Sequence, residues 1–106
     1  MERTHDITIG KRAAKIRELN ISEIVGIVEG STTLPEGILW LDHMLEGPID
    51  SALILYCTDL EHEELKNMYP DQAQAVADKV GELNPFFVRL LGKIRAKAEE
   101  LTQSAR

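Results

Sequence analysis

Five helix starts can be read along this chain, and they lie close enough together that only short helices fit between them. A Ser, Thr, Asn or Asp followed three residues later by Glu or Gln satisfies backbone amides that a helix start leaves without partners. Asn20 with Glu23 opens ISEIVGIVEG, Thr33 with Glu36 opens LPEGILWLDHMLEG, Thr58 with Glu61 opens DLEHEELKNMYP, and Asp71 with Gln74 opens QAQAVADKVGEL. The fifth start, Asn84-Pro85, places proline at the first helical position, where its missing N–H costs nothing. Gly30 and Gly47 suit helix stops, because glycine reaches the left-handed backbone that ends helices. Pro48 can then begin PIDSALILYC. The expected fold is mainly α, a small bundle of about five or six short helices.

Residues 1–20 are read two ways. DITIG alternates like a strand, and Gly10-Lys11 suits a two-residue hairpin loop into RAAKIREL. The Ala, Lys, Arg, Leu and Glu of that second segment favour helix instead. The 106 residues are expected to form one domain, with an N-terminal hairpin or helix over 1–20, helices over 21–101 and a frayed tail over 102–106.

Charge is unevenly placed around a net of −6. Residues 1–20 carry five Lys/Arg and three Asp/Glu, residues 21–75 one and eleven, and residues 76–106 six and four. An acidic middle between mildly basic ends lacks the dense positive cluster that nucleic-acid binding requires. The longest apolar runs are too short to span a bilayer. MERTHDITIG lacks the basic start and apolar stretch of a signal peptide, and one cysteine cannot form an internal disulfide, so the expected compartment is the cytoplasm.

Apolar positions say which surfaces are hidden. Leu34, Ile38, Leu41 and Leu45 recur at the spacing of a core-facing helical stripe, and SALILYC is apolar around most of its circumference, as a central helix should be. Trp40 and Met44 form a second pair displaced around the same predicted helix, beside Leu39, so that element is either central or binds something. In the last helix Phe87, Leu90, Leu91, Ile94, Ala98 and Leu101 share one broad face. Phe86 is turned about 100° from Phe87, so one packing surface is unsuited to covering both rings. Phe86 therefore either packs on Leu83 or Val80 of the preceding helix or faces a partner, where aromatic side chains are enriched. Trp40, Met44, Phe86, Phe87 and Leu90 are the candidate partner contacts.

No motif supports catalysis. Cys57 ends an apolar run and reads as a buried, inert thiol rather than a nucleophile activated by His62. His62-Glu63-Glu64 lacks the second histidine of a zinc-binding helix, and Asp42-His43 reads as the polar edge of an apolar helix rather than an acid–base pair. Asp59, Glu61, Glu63 and Glu64 match no calcium loop and suit the positive end of a helix. No glycine pattern suits a phosphate or dinucleotide. The expectation is a protein without cofactor or metal, and not an enzyme.

The order of these motifs resembles the phage tail assembly chaperones of long-tailed bacteriophages. ITIGKRAAKIRELNISEI is similar to their opening: a short strand-like segment, a turn, then Ile-x-x-Leu and a capped helix. LYCTDLEHEELKNMYPDQAQAVADKVGELNPFF is similar to their later section, with a Thr-x-Leu turn, an acidic Glu-Glu-Leu helix, a second capped helix and an Asn-x-Phe-Phe step. The chain differs at Asp59, where a glycine is expected, and at Glu61, where a Ser or Thr cap is expected. The resemblance implies a non-enzymatic protein of the host bacterial cytoplasm, absent from the mature virion. Its partners would be the tape measure protein, which it keeps soluble, and the tail tube protein, which it helps recruit, with self-association along the client. Two other classes stay open: a small DNA-binding or anti-repressor regulator of a mobile element, and an acidic inhibitor or immunity protein.

Overall fold

Residues 4–17 form a hairpin. The computed structural model of the chain describes the backbone of residues 3–104 and the side chains of residues 3–97. Strands β1 (Thr4–Ile9) and β2 (Arg12–Arg17) pair antiparallel, with Ile9 opposite Arg12 and Ile7 opposite Ala14. The two-residue loop between them has positive φ only at Gly10 (61°), the position that the II′ hairpin turn reserves for glycine. Alternation overrides helix propensity because it sorts β2 cleanly: Ala14 and Ile16 are buried, while Ala13 and Lys15 face out. The open edge of β2 is covered rather than left as a template for pairing with another chain. Ile16 bridges to Thr58, and the Lys15 N–H donates to Asp59 Oδ1 at 2.9 Å.

Among the described residues six helices follow: α1 (Ile21–Glu29), α2 (Leu39–Met44), α3 (Ser51–Cys57), α4 (His62–Lys66), α5 (Pro70–Leu83) and α6 (Pro85–Ser104). The fold is thus mainly α with an N-terminal hairpin. Asn20 and Glu23 form the expected reciprocal cap of α1, and Gly30 ends that helix in the left-handed region. Gly47, the other expected stop, has positive φ (93°) but lies beyond the end of α2, whose C-terminal cap is Leu45 in extended backbone. Asp50 caps α3 by accepting the Leu53 N–H at 2.9 Å.

Three of the five expected capped starts are displaced, and α3 begins at Ser51 rather than at Pro48 because Asp50 supplies its cap. The Thr33–Glu36 box does not form, and residues 33–38 are irregular. In a helix from Leu34 the Ile38 N–H would bond the Leu34 carbonyl. It donates instead to Ser51 Oγ at 2.6 Å, while Asp42 Oδ1 accepts the Ser51 N–H at 2.7 Å. Gly37 permits this close approach, since a Cβ there would lie 2.8 Å from Ser51 Oγ. Leu34, Ile38 and Leu45 still pack on the core around buried Leu41, so the stripe survives without its helix. At the second start, Thr58 closes α3 by donating to the Ile54 carbonyl at 2.7 Å, and the cap of α4 passes to Glu61, whose N–H donates to Glu64 Oε1 at 3.1 Å. At the third, α5 begins at Pro70, one residue before Asp71, with the Tyr69 N–H donating to Gln72 Oε1 at 3.0 Å. Residues 102–104, expected to fray, continue α6. Ala105 and Arg106 lie outside the described residues.

The core lies where α3, α5 and β2 meet. Ala73, Val76, Ala77 and Val80 of α5 recur at helical spacing and are all buried, against Ile54 and Cys57 of α3, Ile16 of β2 and Phe87 of α6. Two ion-paired arginines fasten the hairpin to the helices. Arg12 Nε donates to Glu64 at 2.7 Å, and Arg17 pairs with Glu23 while donating to the Tyr56 carbonyl at 3.0 Å and lying 4.4 Å above the Tyr56 ring. Among the described residues no helix is long and apolar enough to cross a membrane.

Candidate partner-binding grooves

Pro85 starts α6 one residue after α5 ends, and Asn84 between them holds the junction. Its side chain is buried; Oδ1 accepts the Leu19 N–H at 2.7 Å and Nδ2 donates to the Val80 carbonyl at 2.9 Å. With this junction fixed, the turn per helical residue separates the two rings that follow. Phe87 is 0% exposed and Phe86 is 73% exposed. Packing of Phe86 on Leu83 or Val80 does not hide its ring. Phe87, expected among the partner contacts, belongs to the core instead, because α6 turns that position toward α5.

An apolar groove of about 1040 Å³ opens beside Phe86, between the start of α1 and the α5–α6 junction. Its walls include Leu19, Ile21, Ile24, Leu83 and Phe86, with Phe87 at the floor. Ile21, in the first turn of α1 after the Asn20 cap, is 82% exposed. Arg3 and Glu18 stand at the mouth, 3.4 Å apart, so their charges largely offset each other. Glu18 also accepts a 2.6 Å hydrogen bond from His5, which holds its carboxyl below the usual range. The Arg89 guanidinium lies 5.2 Å from the Phe86 ring centre and braces the ring from its basic side.

Trp40 and Met44 line a second, smaller groove of about 220 Å³ with Leu41, Leu65, Met68 and Pro70. Trp40 is 72% exposed and its ring lies 5.6 Å from His43 in a tilted arrangement. The two grooves have no lining residue in common. Leu90 is half-buried and lines neither. The five candidate contacts therefore divide: Phe86 in one groove, Trp40 and Met44 in the other, Phe87 inside and Leu90 between cover and solvent on α6.

Residues outside the candidate set also present apolar surface. Ile21, Val25 and Val28 form an exposed ridge along α1, which buries no residue. Five of the nine residues of ISEIVGIVE are large and aliphatic, more than one packing face can absorb, and that excess was the available signal. Leu39 and Tyr69 are likewise exposed.

Cys57 is fully buried, and burial pushes its thiol up to about 11 against a smaller downward pull from Arg17, so little nucleophilic thiolate exists at neutral pH. Within the acidic patch, Asp59 and Glu64 meet Arg12 and hold β2, and the Arg12 hydrogen bond draws the Glu64 carboxyl below its usual range. Asp42 is engaged with the Ser51 amide. Among the described residues no group of three or more His, Cys, Asp or Glu is placed to hold a metal ion. No family model, curated protein or solved structure matches the chain.

Proposed function

We propose that this protein is a non-enzymatic assembly chaperone that covers an aggregation-prone apolar segment of another polypeptide. The observation that carries this reading is the outward ring of Phe86, standing over an apolar groove while its neighbour Phe87 fills the core. A holdase binds its client through such surface and lowers the concentration of free, aggregating chain. Helical ligands suit grooves of this kind, because apolar side chains at i, i+3 and i+4 present one edge.

The client class in this reading comes from the resemblance in motif order. By its resemblance to phage tail assembly chaperones, the protein acts in a phage or prophage, with the tape measure protein as client and the tail tube protein recruited around it. It works in the host cytoplasm and leaves before the virion is complete. The exposed Trp40–Met44 groove supplies a second contact, for the tube protein or for another copy. The reading as an acidic inhibitor is less favoured, since Asp59 and Glu64 are already engaged by Arg12.

Co-expression with a tape measure fragment tests the proposal. The fragment is expected in the soluble fraction with the native chain and in the pellet with Phe86→Asp, while both forms of the chaperone stay folded by circular dichroism. Equal aggregation of the fragment with and without the native chain would overturn the reading.

A further inference from the structure

We propose that the Phe86 groove takes an acidic amphipathic helix, with its apolar edge in the groove and its carboxylates against one basic ridge of α6. This rests on the client-binding reading above and adds the chemistry of the segment bound.

The geometry of α6 carries the inference. Phe87 is buried and Val88, Leu90 and Leu91 are partly covered, but every residue from Gly92 to Lys97 is exposed. A helix of 20 residues is about 30 Å long, and residues 92–97 of α6 stand clear of the body with their side chains open to solvent. Two lines of side chains run along it. Phe86, Leu90 and Ile94 recur at i, i+4 and i+8 and form an apolar ridge that begins at the groove. Arg89, Lys93 and Lys97 recur at the same interval on the adjacent flank, and no carboxylate occurs between Pro85 and Lys97.

Successive bases on this flank are about 6 Å apart along the axis, the same interval at which Glu residues repeat every four positions on a helical ligand. A ligand lying on the apolar ridge therefore meets the bases with one of its own flanks, and charge complementarity makes that flank acidic. A second copy of α6 is a poor occupant, because it would set the same bases against one another. The opposite wall of the groove does not compete for the bases: Asn20, Ile21 and Ser22 are uncharged, Glu23 is paired with Arg17, and Glu18 is paired with Arg3.

Binding of synthetic helical peptides to the full chain, followed by fluorescence anisotropy, tests the proposal. Three peptides share leucines at i, i+4, i+7 and i+11 and differ only in carrying Glu, Gln or Lys along one flank. The Glu peptide should bind about tenfold more tightly than the Gln peptide, as three modest surface pairs would give, and the margin should shrink with salt. Arg89→Glu with Lys93→Glu and Lys97→Glu should reverse the order in favour of the Lys peptide, and the milder Lys93→Gln with Lys97→Gln should narrow the margin to about twofold, the share of the remaining Arg89 pair.

Equal binding of all three peptides, abolished by Phe86→Asp, would overturn the acidic preference and leave the groove reading standing. Binding that Phe86→Asp does not change, or no binding of any peptide, would remove the groove reading itself. A DNA duplex that displaces the Glu peptide and binds Phe86→Asp equally well would make the ridge a nucleic-acid surface and overturn the proposal. So would a dimer that Phe86→Asp dissolves and the Glu peptide cannot compete with.

Discussion

The Asn84 side-chain oxygen accepts the Leu19 backbone N–H at 2.7 Å across 65 positions of sequence. Through this bond the end of the hairpin module is tied to the step between α5 and α6, the two sides from which the larger groove is built. Leu19 and Asn84 both line it. The same side chain donates to the Val80 carbonyl at 2.9 Å, so truncation at Asn84 leaves a donor and an acceptor short of partners in a buried place.

Asn84→Ala is therefore expected to lower unfolding free energy by about 2–3 kcal/mol, the cost of unpaired buried polar groups. Urea denaturation followed by circular dichroism measures it. A loss no larger than that of an exposed substitution would show that the junction is held by packing alone.

The two adjacent rings predict opposite outcomes. Phe87→Ala empties a fully buried site and should cost about 3–5 kcal/mol. Phe86→Asp acts on an exposed ring and should stay within about 0.5 kcal/mol, apart from the small brace that Arg89 provides. Parallel urea melts of the two variants decide between them, and comparable destabilisation by both would return Phe86 to the core.

What could be read from the sequence follows from the range of each interaction. The Asn20–Glu23 cap and the Pro85 start involve neighbours in the chain, and both occur where local pattern places them. The Thr33–Glu36 box has equally good local chemistry and fails because Ser51, 13 positions from Ile38, captures the amide that a helix would use. The clasp between Arg12 and Glu64 spans 52 positions and has no local trace, so the acidic patch looked like a solvated helix end. Helical geometry alone implies that Phe86 and Phe87 diverge. The apolar face that Phe87 shares with Leu91 favours Phe87 as the inward ring; whether Phe86 is covered depends on how α1 and α5 sit beside it, and no local pattern carries that. Ile21 was not singled out because a short helix with five large aliphatic residues gives no local sign of which side the fold covers, and one side of α1 is left uncovered.

Trp40 is the only tryptophan and reports directly on the smaller groove. With 72% of its surface exposed, the free protein should emit as a water-accessible indole and be quenched readily by acrylamide. A partner seated between Trp40 and Met44 should shift the emission to shorter wavelength and protect it. Emission from the free chain that is already blue-shifted and resistant to quenching would mean that the ring is enclosed.

Acid should loosen the hairpin before it affects the helical core. Glu64 is held below its ordinary value of 4.5 chiefly by the hydrogen bond from Arg12, and Glu18 by the one it shares with His5. For Glu23 burial acts upward, but hydrogen bonds from Arg17 and the Asn20 amide outweigh it and leave a net decrease. A carboxyl whose folded pKa lies below its unfolded one stabilises the fold above the unfolded value, and that contribution is lost as pH falls through the folded value. Stability should thus be level near neutrality and decline only below about pH 4.5. Glu64→Gln keeps an oxygen for the Glu61 amide but removes the charge facing Arg12. It should be less stable than the native chain at neutral pH, and the two urea midpoints should converge in acid. If the gap between them stays constant across that range, the clasp draws its strength from packing and neutral hydrogen bonds, and the ionic account of how β2 is held is wrong.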